Sequence, residues 1–300
     1  MSWLQLRLDC GKLEAAGLEE ALLEAGALSV TLEDREDEPL LEPAVGATPL
    51  WQAIRITGLF PADRDMQQVQ RALAALPASA SARVEILEDK DWEREWMQHY
   101  QPMRFGRRVW ICPSWLSPPE PEAINLLLDP GLAFGTGTHP TTAMCLGVLD
   151  GLELAGDSVV DFGCGSGILG IAALRLGAAR LLAVDNDPQA LAATADNATR
   201  NAIDPGSLTI SQPGEYDAAA WRGGAALVLA NILAGPLAAL RDELCDLLAP
   251  GGRLVLAGLL ESQADELIEH YAQRLPLAIV KQQQEWVCLS GCYQSAEPLL

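Results

Sequence analysis

The segment from Ser158 to Gly170, Ser-Val-Val-Asp-Phe-Gly-Cys-Gly-Ser-Gly-Ile-Leu-Gly, constrains the fold of this chain more than any other. A β-branched apolar run enters a turn with glycine at every second position, and an Ala- and Leu-rich helical pattern follows. Glycines let the backbone turn tightly and approach a ligand closely, and the first turn of a helix leaves amide donors without intrahelical partners. The surrounding pattern alternates in the same way. Strands are expected at 124–128, 157–161, 180–184, 226–230 and 252–257, with helices at 140–150, 167–176, 188–202, 235–248 and 262–274. A closing pair of strands is expected at 277–281 and 285–290. Such alternation predicts a mainly parallel, doubly wound α/β sheet covered on both faces. Its ligands bind at the carboxyl ends of the strands, near the switch point.

The front of the chain follows another pattern. Residues 3–8 alternate and predict a strand, and 13–25 carry Leu13, Ala16, Leu22 and Leu23 at helical spacing. Strands are expected at 27–33 and 51–60, a helix at 64–76 ending before Pro77, and a strand at 82–88. Residues 36–39 read as a charged loop. The order β-α-β-β-α-β is that of the ferredoxin-like split βαβ unit. The chain therefore divides into 1–90, a small α+β ferredoxin-like domain; 91–123, a linker helix and entry strands; 124–294, a Rossmann-like catalytic domain; and 295–300, a frayed tail. Trp92 and Trp96 stand four apart and share one face of the linker helix.

The glycine segment supports two frames. Gly165-x-Gly167-x-x-Gly170 is a formal GxGxxG, and Asp185 lies about twenty residues after Gly165, where a nicotinamide site places its ribose acid. The other frame is Asp161-x-Gly163-x-Gly165-x-Gly167, the acid-led glycine motif of class I methyltransferases. The flanks favour the second. Asp161 at the end of the strand would repel a pyrophosphate, whereas S-adenosylmethionine carries a positive sulfonium and a cationic amine that an acid attracts. Asp185, ending the next strand, offers two acceptor oxygens to ribose hydroxyls. Asp187 is better placed to cap the helix that begins at Pro188.

Two more segments bear on function. Residues 129–142 form a loop with three glycines and four threonines, long enough to cover a ligand. Thr138 or Thr141 is expected to cap the next helix, with Thr142 facing the cofactor. His139 has no neighbouring ligand in the sequence, so no metal site is expected. Asn231 ends the strand at 226–230, where substrate would meet cofactor, and its amide carries both a donor and an acceptor.

Composition limits the partners. The formal net charge is −21, which disfavours nucleic acid, whose binding rests on phosphate neutralisation, and favours a basic protein partner. No apolar run reaches the ~18 residues of a membrane span, and residues 1–7 do not resemble a signal peptide. The seven cysteines are scattered, with no CxxC pair. A cytoplasmic protein with reduced thiols is expected, and we expect a monomer.

Seven segments together resemble the bacterial ribosomal protein L11 methyltransferase (PrmA) family: DKDWEREWM (89–97), PMRFG (102–106), WICPSW (110–115), LDPGLAFGTGTHPTT (128–142), DFGCGSGILGIAALRLGA (161–178), VDNDPQA (184–190) and ANILAGPL (230–237). The resemblance spans nearly the whole chain. It implies S-adenosylmethionine as cofactor, with Thr142, Gly163, Asp185 and Asn231 in contact with it; Asp161, Gly165 and Gly167 of the acid-led glycine motif are expected to bind it as well. It implies methylation of amino groups of a large-subunit ribosomal protein, on lysine side chains and the N-terminal α-amine, with the ferredoxin-like domain docking that protein. Asn231 is the expected catalytic residue, holding the amine. The rival readings are a methyltransferase for RNA or a small molecule, a nicotinamide-dependent oxidoreductase, and a binding protein without turnover.

Overall fold

The computed structural model describes residues 3–36, 38, 48–87, 100–129, 135 and 137–293. The linker tryptophans, residues 130–134 and 136 of the loop at 129–142, part of the charged loop after residue 36 and the expected tail lie outside the described residues. The chain forms two compact units, Met1–Gln98 and His99–Leu300.

In the first unit, β1 (Trp3–Gly11) leads to a helix, Ala15–Glu24, then β2 (Ser29–Asp34), β3 (Ala53–Pro61), a helix, Met66–Leu73, and β4 (Arg83–Leu87). The sheet order is β2-β3-β1-β4, antiparallel throughout, which is the ferredoxin-like arrangement. Alternation along β1 sends Leu6, Leu8 and Cys10 to one face, where they meet Ile54, Ile56 and Phe60 of β3 and Leu18, Leu22, Val69 and Leu73 of the helices. The second helix is shorter than expected. Asp65 caps its start by accepting from Gln67 and Gln68 N–H, the helix stops at Leu73, and a 3₁₀ turn follows at Pro77–Ser81.

The second unit contains two sheets. The larger has the order β10-β9-β8-β11-β12-β14-β13, built from β8 (Ser158–Phe162), β9 (Arg180–Val184), β10 (Leu208–Ser211), β11 (Ala225–Asn231), β12 (Leu248–Leu260), β13 (Ala278–Gln283) and β14 (Trp286–Cys292). Strands β8 to β12 run parallel, and the last two add an antiparallel hairpin. The chain winds outward from β8 to β10, then returns to β11 on the other side of β8. The switch point therefore falls between β8 and β11. Their central residues Val159, Val160, Leu181 to Val184 and Leu227 to Ala230 are almost fully buried, as the continuous apolar runs of a two-sided parallel sheet require.

Two expectations are corrected. The strand expected at 124–128 does not join this sheet. It forms β7 (Ile124–Leu127) in a separate three-stranded sheet with β5 (Met103–Phe105) and β6 (Val109–Cys112), because Val109–Cys112 offers it a parallel apolar partner. The outer place beside β9 is taken by β10, a four-residue strand too short and too exposed to announce itself by periodicity. The helix expected at 235–248 is two helices, Ala234–Ala239 and Arg241–Leu247, separated at Leu240, which has φ −91° and ψ 3°.

Side chains anchor the small sheet to the rest of this unit. Asp150, at the end of the helix Pro140–Leu149, is 4% exposed. Its carboxylate accepts from the backbone N–H of Arg107 at 2.7 Å and of Arg108 at 2.8 Å. Asn201 pairs with the edge of β7 as another strand would: its Oδ1 accepts from Leu127 N–H at 2.7 Å and its Nδ2 donates to Leu127 O at 2.8 Å. Replacing Asp150 by Ala leaves two backbone donors unpaired, at a cost of about 1–3 kcal/mol each when fully buried. Urea unfolding of Asp150→Ala is expected to show a loss of about 2–3 kcal/mol; an unchanged midpoint would mean that the turn between β5 and β6 needs no anchor.

Candidate active site

At the carboxyl edge of the parallel sheet, Phe162 of β8 is in register with Val184 of β9 and Ala230 of β11. The next residue on each strand is Gly163, Asp185 and Asn231. Three of the expected site residues thus stand in one row across the switch point.

The turn after β8 requires glycine for two reasons. Gly163, Gly165 and Gly167 all have positive φ, at 76°, 54° and 76°, where an L side chain is strained. Space is also lacking: a Cβ at Gly163 would lie 2.2 Å from Ile232 Cγ2, and one at Gly167 2.7 Å from Thr194 Cγ2. Gly163 and Cys164 both donate to Val184 O, at 2.7 and 3.0 Å, so the turn crosses the end of β9. Gly167 is buried, while Gly163 and Gly165 are partly exposed.

Polar side chains hold this turn from below and behind. Asp185 Oδ2 accepts from Gly165 N–H at 2.9 Å, and its Oδ1 from Asp187 N–H at 3.0 Å. Each oxygen keeps a lone pair for a ligand, and the residue is half-buried at the rim. Thr194 Oγ1 donates to Gly165 O at 3.1 Å, and Asn197 Nδ2 to Ser166 O at 2.9 Å. Ser166 Oγ in turn donates to Gly135 O at 2.9 Å. Asp161 lies beneath the turn, 1% exposed, and its Oδ2 accepts from Gly170 N–H at 2.8 Å. Burial pushes its carboxyl up to about 7 against the pull of the Gly170 N–H, and the Asp185 charge adds to the rise.

On the other side of β8, Asn231 Nδ2 donates to Thr142 Oγ1 at 3.3 Å. Asn231 Oδ1 is buried and has no hydrogen-bond partner. Thr142 is fully buried in the first turn of the helix Pro140–Leu149. The cap of that helix is His139, which corrects the expectation of a threonine: its Nδ1 accepts from Thr141 N–H at 3.3 Å and lies 2.8 Å from Thr141 Oγ1. The ring meets Trp286 edge-on at 4.9 Å, and burial lowers its pKa. Among the described residues no three His, Cys, Asp or Glu side chains cluster as a metal site. The Asp187 cap on the helix Pro188–Arg200 is present as expected.

Sequence reasoning missed Thr194 and Asn197. Their signal was there. With Asn201 they fall at steps of three and four on that helix, and all three are buried at 0, 6 and 5% exposure. Polar residues at the positions where a helix should bury its apolar stripe mark side chains with fixed partners.

The groups present suit an adenosine-bearing sulfonium cofactor. Two partly exposed glycines leave room for close backbone approach, a half-buried carboxylate waits at the end of the second strand, and an orphaned acceptor faces the switch point.

The seven-stranded sheet with its terminal antiparallel hairpin, the glycine turn at the switch point and the acid on the next strand define a Rossmann-like methyltransferase. The family model described as ribosomal protein L11 methyltransferase (PrmA) matches residues 2–294. A ribosomal protein L11 methyltransferase of Azotobacter vinelandii is 53% identical over 97% of this chain and 99% of its own length. One from Pseudomonas paraeruginosa is 52% identical over 97% and 98%. A crystal structure of the ribosomal protein L11 methylase of Lactobacillus delbrueckii subsp. bulgaricus matches with a TM-score of 0.56 and 30% identity, covering 65% of this chain and all of that one. The chain belongs to the ribosomal protein L11 methyltransferase (PrmA) family.

The buried acid under the turn makes stability depend on pH. The folded-state value of Asp161, about 7, stands above the ordinary 3.8. Well below pH 3.8 the group is protonated in both states and costs nothing. As pH rises toward 7 the unfolded chain releases the proton first, so stability falls by about 1.4 kcal/mol per pH unit and then levels off. Asp161→Asn removes this slope while its Oδ1 can still accept from Gly170. Urea unfolding at pH 5 and pH 8 should show the variant gaining about 3 kcal/mol on the wild type over that interval. Parallel curves for the two proteins would mean that Asp161 is ionised in the folded state.

Proposed function

We propose that this protein transfers methyl groups from S-adenosylmethionine to amino groups of ribosomal protein L11, on lysine side chains and the N-terminal α-amine. The observation that carries this reading is the unpartnered, buried Oδ1 of Asn231, one strand away from the glycine turn. Membership of the family supports the protein substrate, and the acid–glycine row across β9, β8 and β11 supports the cofactor.

When bound, S-adenosylmethionine supplies a methyl group on a positively charged sulfur, open to in-line displacement. Gly163 and Gly165 would bring the backbone against it, with Gly167 shaping the turn. Asp185 would receive the ribose hydroxyls on the lone pairs that Gly165 and Asp187 leave free. Asn231 and Thr142 would hold it from the β11 side, while Asp161, expected as a contact, is sealed beneath the turn and would act through the turn it supports. The accepting amine must be neutral, yet a lysine in water titrates near 10.4 and an α-amine near 7.7–8.0. A site that removes the amine from water favours the neutral form. Asn231 Oδ1 then accepts one amine N–H and leaves the nitrogen lone pair directed away from the amide. His139 is committed to capping its helix, so orientation by Asn231 supplies the rate advantage.

The ferredoxin-like unit, residues 1–90, is assigned the docking of the ribosomal protein. The net charge of −21 supports attraction of a basic protein over nucleic acid. Among the described residues no helix is long and apolar enough to cross a membrane, which supports a cytoplasmic protein; we assign it as a monomer.

The test is transfer of labelled methyl from S-adenosylmethionine to purified ribosomal proteins, RNA and free amino acids. Label is expected on L11 alone. Asp185→Ala should weaken cofactor binding by about tenfold or more, as loss of a charged hydrogen-bond acceptor does. Asn231→Ala that kept full turnover at unchanged cofactor affinity would remove Asn231 from the chemistry. Label confined to RNA or to a small molecule would overturn the protein substrate.

A further inference from the structure

We propose that Arg200 is a positioning residue for cofactor binding: aimed by Asp129, it fixes the Asn197 amide that holds Ser166 in the glycine turn. The inference rests on the cofactor reading proposed for that turn and deepens it.

The turn is gripped at Ser166 from two sides. The Ser166 carbonyl accepts from Asn197 Nδ2 at 2.9 Å, and its hydroxyl donates to Gly135 O at 2.9 Å. Ser166 is 3% exposed and Asn197 6%, so water does not compete for the bond between them. Ser166 stands between Gly165 and Gly167, and a shift of its carbonyl moves both.

An asparagine amide has a donor end and an acceptor end of nearly the same shape. Only the donor end holds a carbonyl; the flipped amide would set two oxygens against each other. Asn197 therefore needs a partner that keeps its own oxygen turned away from Ser166. Arg200 is that partner. The two residues lie three apart on the helix Pro188–Arg200 and share a face, and Arg200 Nη1 donates to Asn197 Oδ1 at 2.6 Å. A guanidinium carries donors only, so it is satisfied by one orientation of the amide and repels the other.

Arg200 is aimed in turn by Asp129. Its Nε lies 3.6 Å from Asp129 Oδ2, and Asp129 accepts from Ser114 N–H at 2.7 Å and from Ser114 Oγ at 2.8 Å. The side chains of Arg200 and Asp129 are 34% and 25% exposed. An ion pair that open to water adds little stability, so its use is directional. A cation at a helix C-terminus also suits the helix dipole, but that role needs neither the bond to Asn197 nor the pairing with Asp129. Asp129 and Gly135 belong to one stretch of chain, so both grips on Ser166 trace back to the loop that precedes the helix Pro140–Leu149.

Arg200→Met keeps the stem and removes the donors, and Arg200→Lys keeps the charge without the fork. Both are compared with Asp129→Asn, Asn197→Ala and the Arg200→Met/Asn197→Ala double variant. S-adenosylmethionine affinity is measured by calorimetry, and kcat with L11 at saturating cofactor. Loss of a charged hydrogen bond should weaken cofactor binding by Arg200→Met about tenfold, with kcat at saturation within about twofold of wild type. Arg200→Lys and Asp129→Asn should each weaken it about threefold, since the remaining contacts persist. Asp129→Asn leaves Arg200 in place and serves as the test if Arg200→Met folds poorly. Coupled residues give non-additive effects, so the double variant should bind cofactor no more weakly than Asn197→Ala. Multiplying effects would overturn the proposal. So would unchanged cofactor affinity in Arg200→Met and Asp129→Asn beside a lowered urea midpoint, the mark of a purely structural role.

A second readout needs neither cofactor nor methyl acceptor. The Asn197 side-chain NH₂ protons, observed by ¹⁵N NMR, should exchange slowly in wild type and faster in Arg200→Met. Equal exchange would overturn the role of Arg200. If wild type binds no S-adenosylmethionine, the cofactor reading fails and the proposal with it, while the exchange rates still show whether Arg200 holds the amide.

Discussion

The hydrogen bond from Gly165 N–H to Asp185 Oδ2, 2.9 Å long, is the contact on which the rest of the site depends. It joins the turn after β8 to the end of β9. A backbone with three positive-φ glycines in five residues has no regular ladder to hold it, so its amides and carbonyls need side-chain partners. Asp185, Thr194 and Asn197 provide them, and Asp161 holds the start of the following helix from inside the sheet. Conformational freedom is the reason glycine is used there, and these bonds oppose that same freedom.

The same carboxylate serves two purposes. Asp185 braces the turn with one lone pair of each oxygen and presents the others at the rim. Bracing the turn and binding a cofactor at the rim would thus be coupled in one residue, whose loss would loosen the turn as well as remove the proposed contact. Asp161 differs. It is sealed from solvent, with its carboxyl held near neutrality by burial, and its influence on a bound cation would come through the turn it supports and not through contact.

Much of this was legible in the sequence, because the informative residues were local. The glycine spacing announced the strand, turn and helix around residues 158–170, and acids and amides at strand ends announced the rim. The alternation in β1 and β3 announced the ferredoxin-like unit. What escaped depends on distant partners. Strand β10 has four residues and little burial, and acquires its identity only by pairing with β9. Strand β7 looked like a core strand because its apolar run suits either sheet, and the partner β6 decided the matter. His139 displaced two plausible threonine caps because it precedes Pro140 with the backbone of an N-cap residue, φ −72° and ψ 137°. The pairing of Thr142 with Asn231 joins positions 89 residues apart, which no local pattern contains.

The helix Pro188–Arg200 has a mechanical consequence. Its polar row Thr194 and Asn197, continued by Asn201 just beyond its end, grips the glycine turn from the middle of the helix and β7 from its C-terminal end. A helix of thirteen residues is a stiff rod about 20 Å long. The glycine turn and the small outer sheet are therefore fastened to a single strut. Any sliding of β7 along its length is delivered to Gly165 and Ser166 as a rigid displacement, so the placement of the turn is set in part by the edge strand of a different sheet.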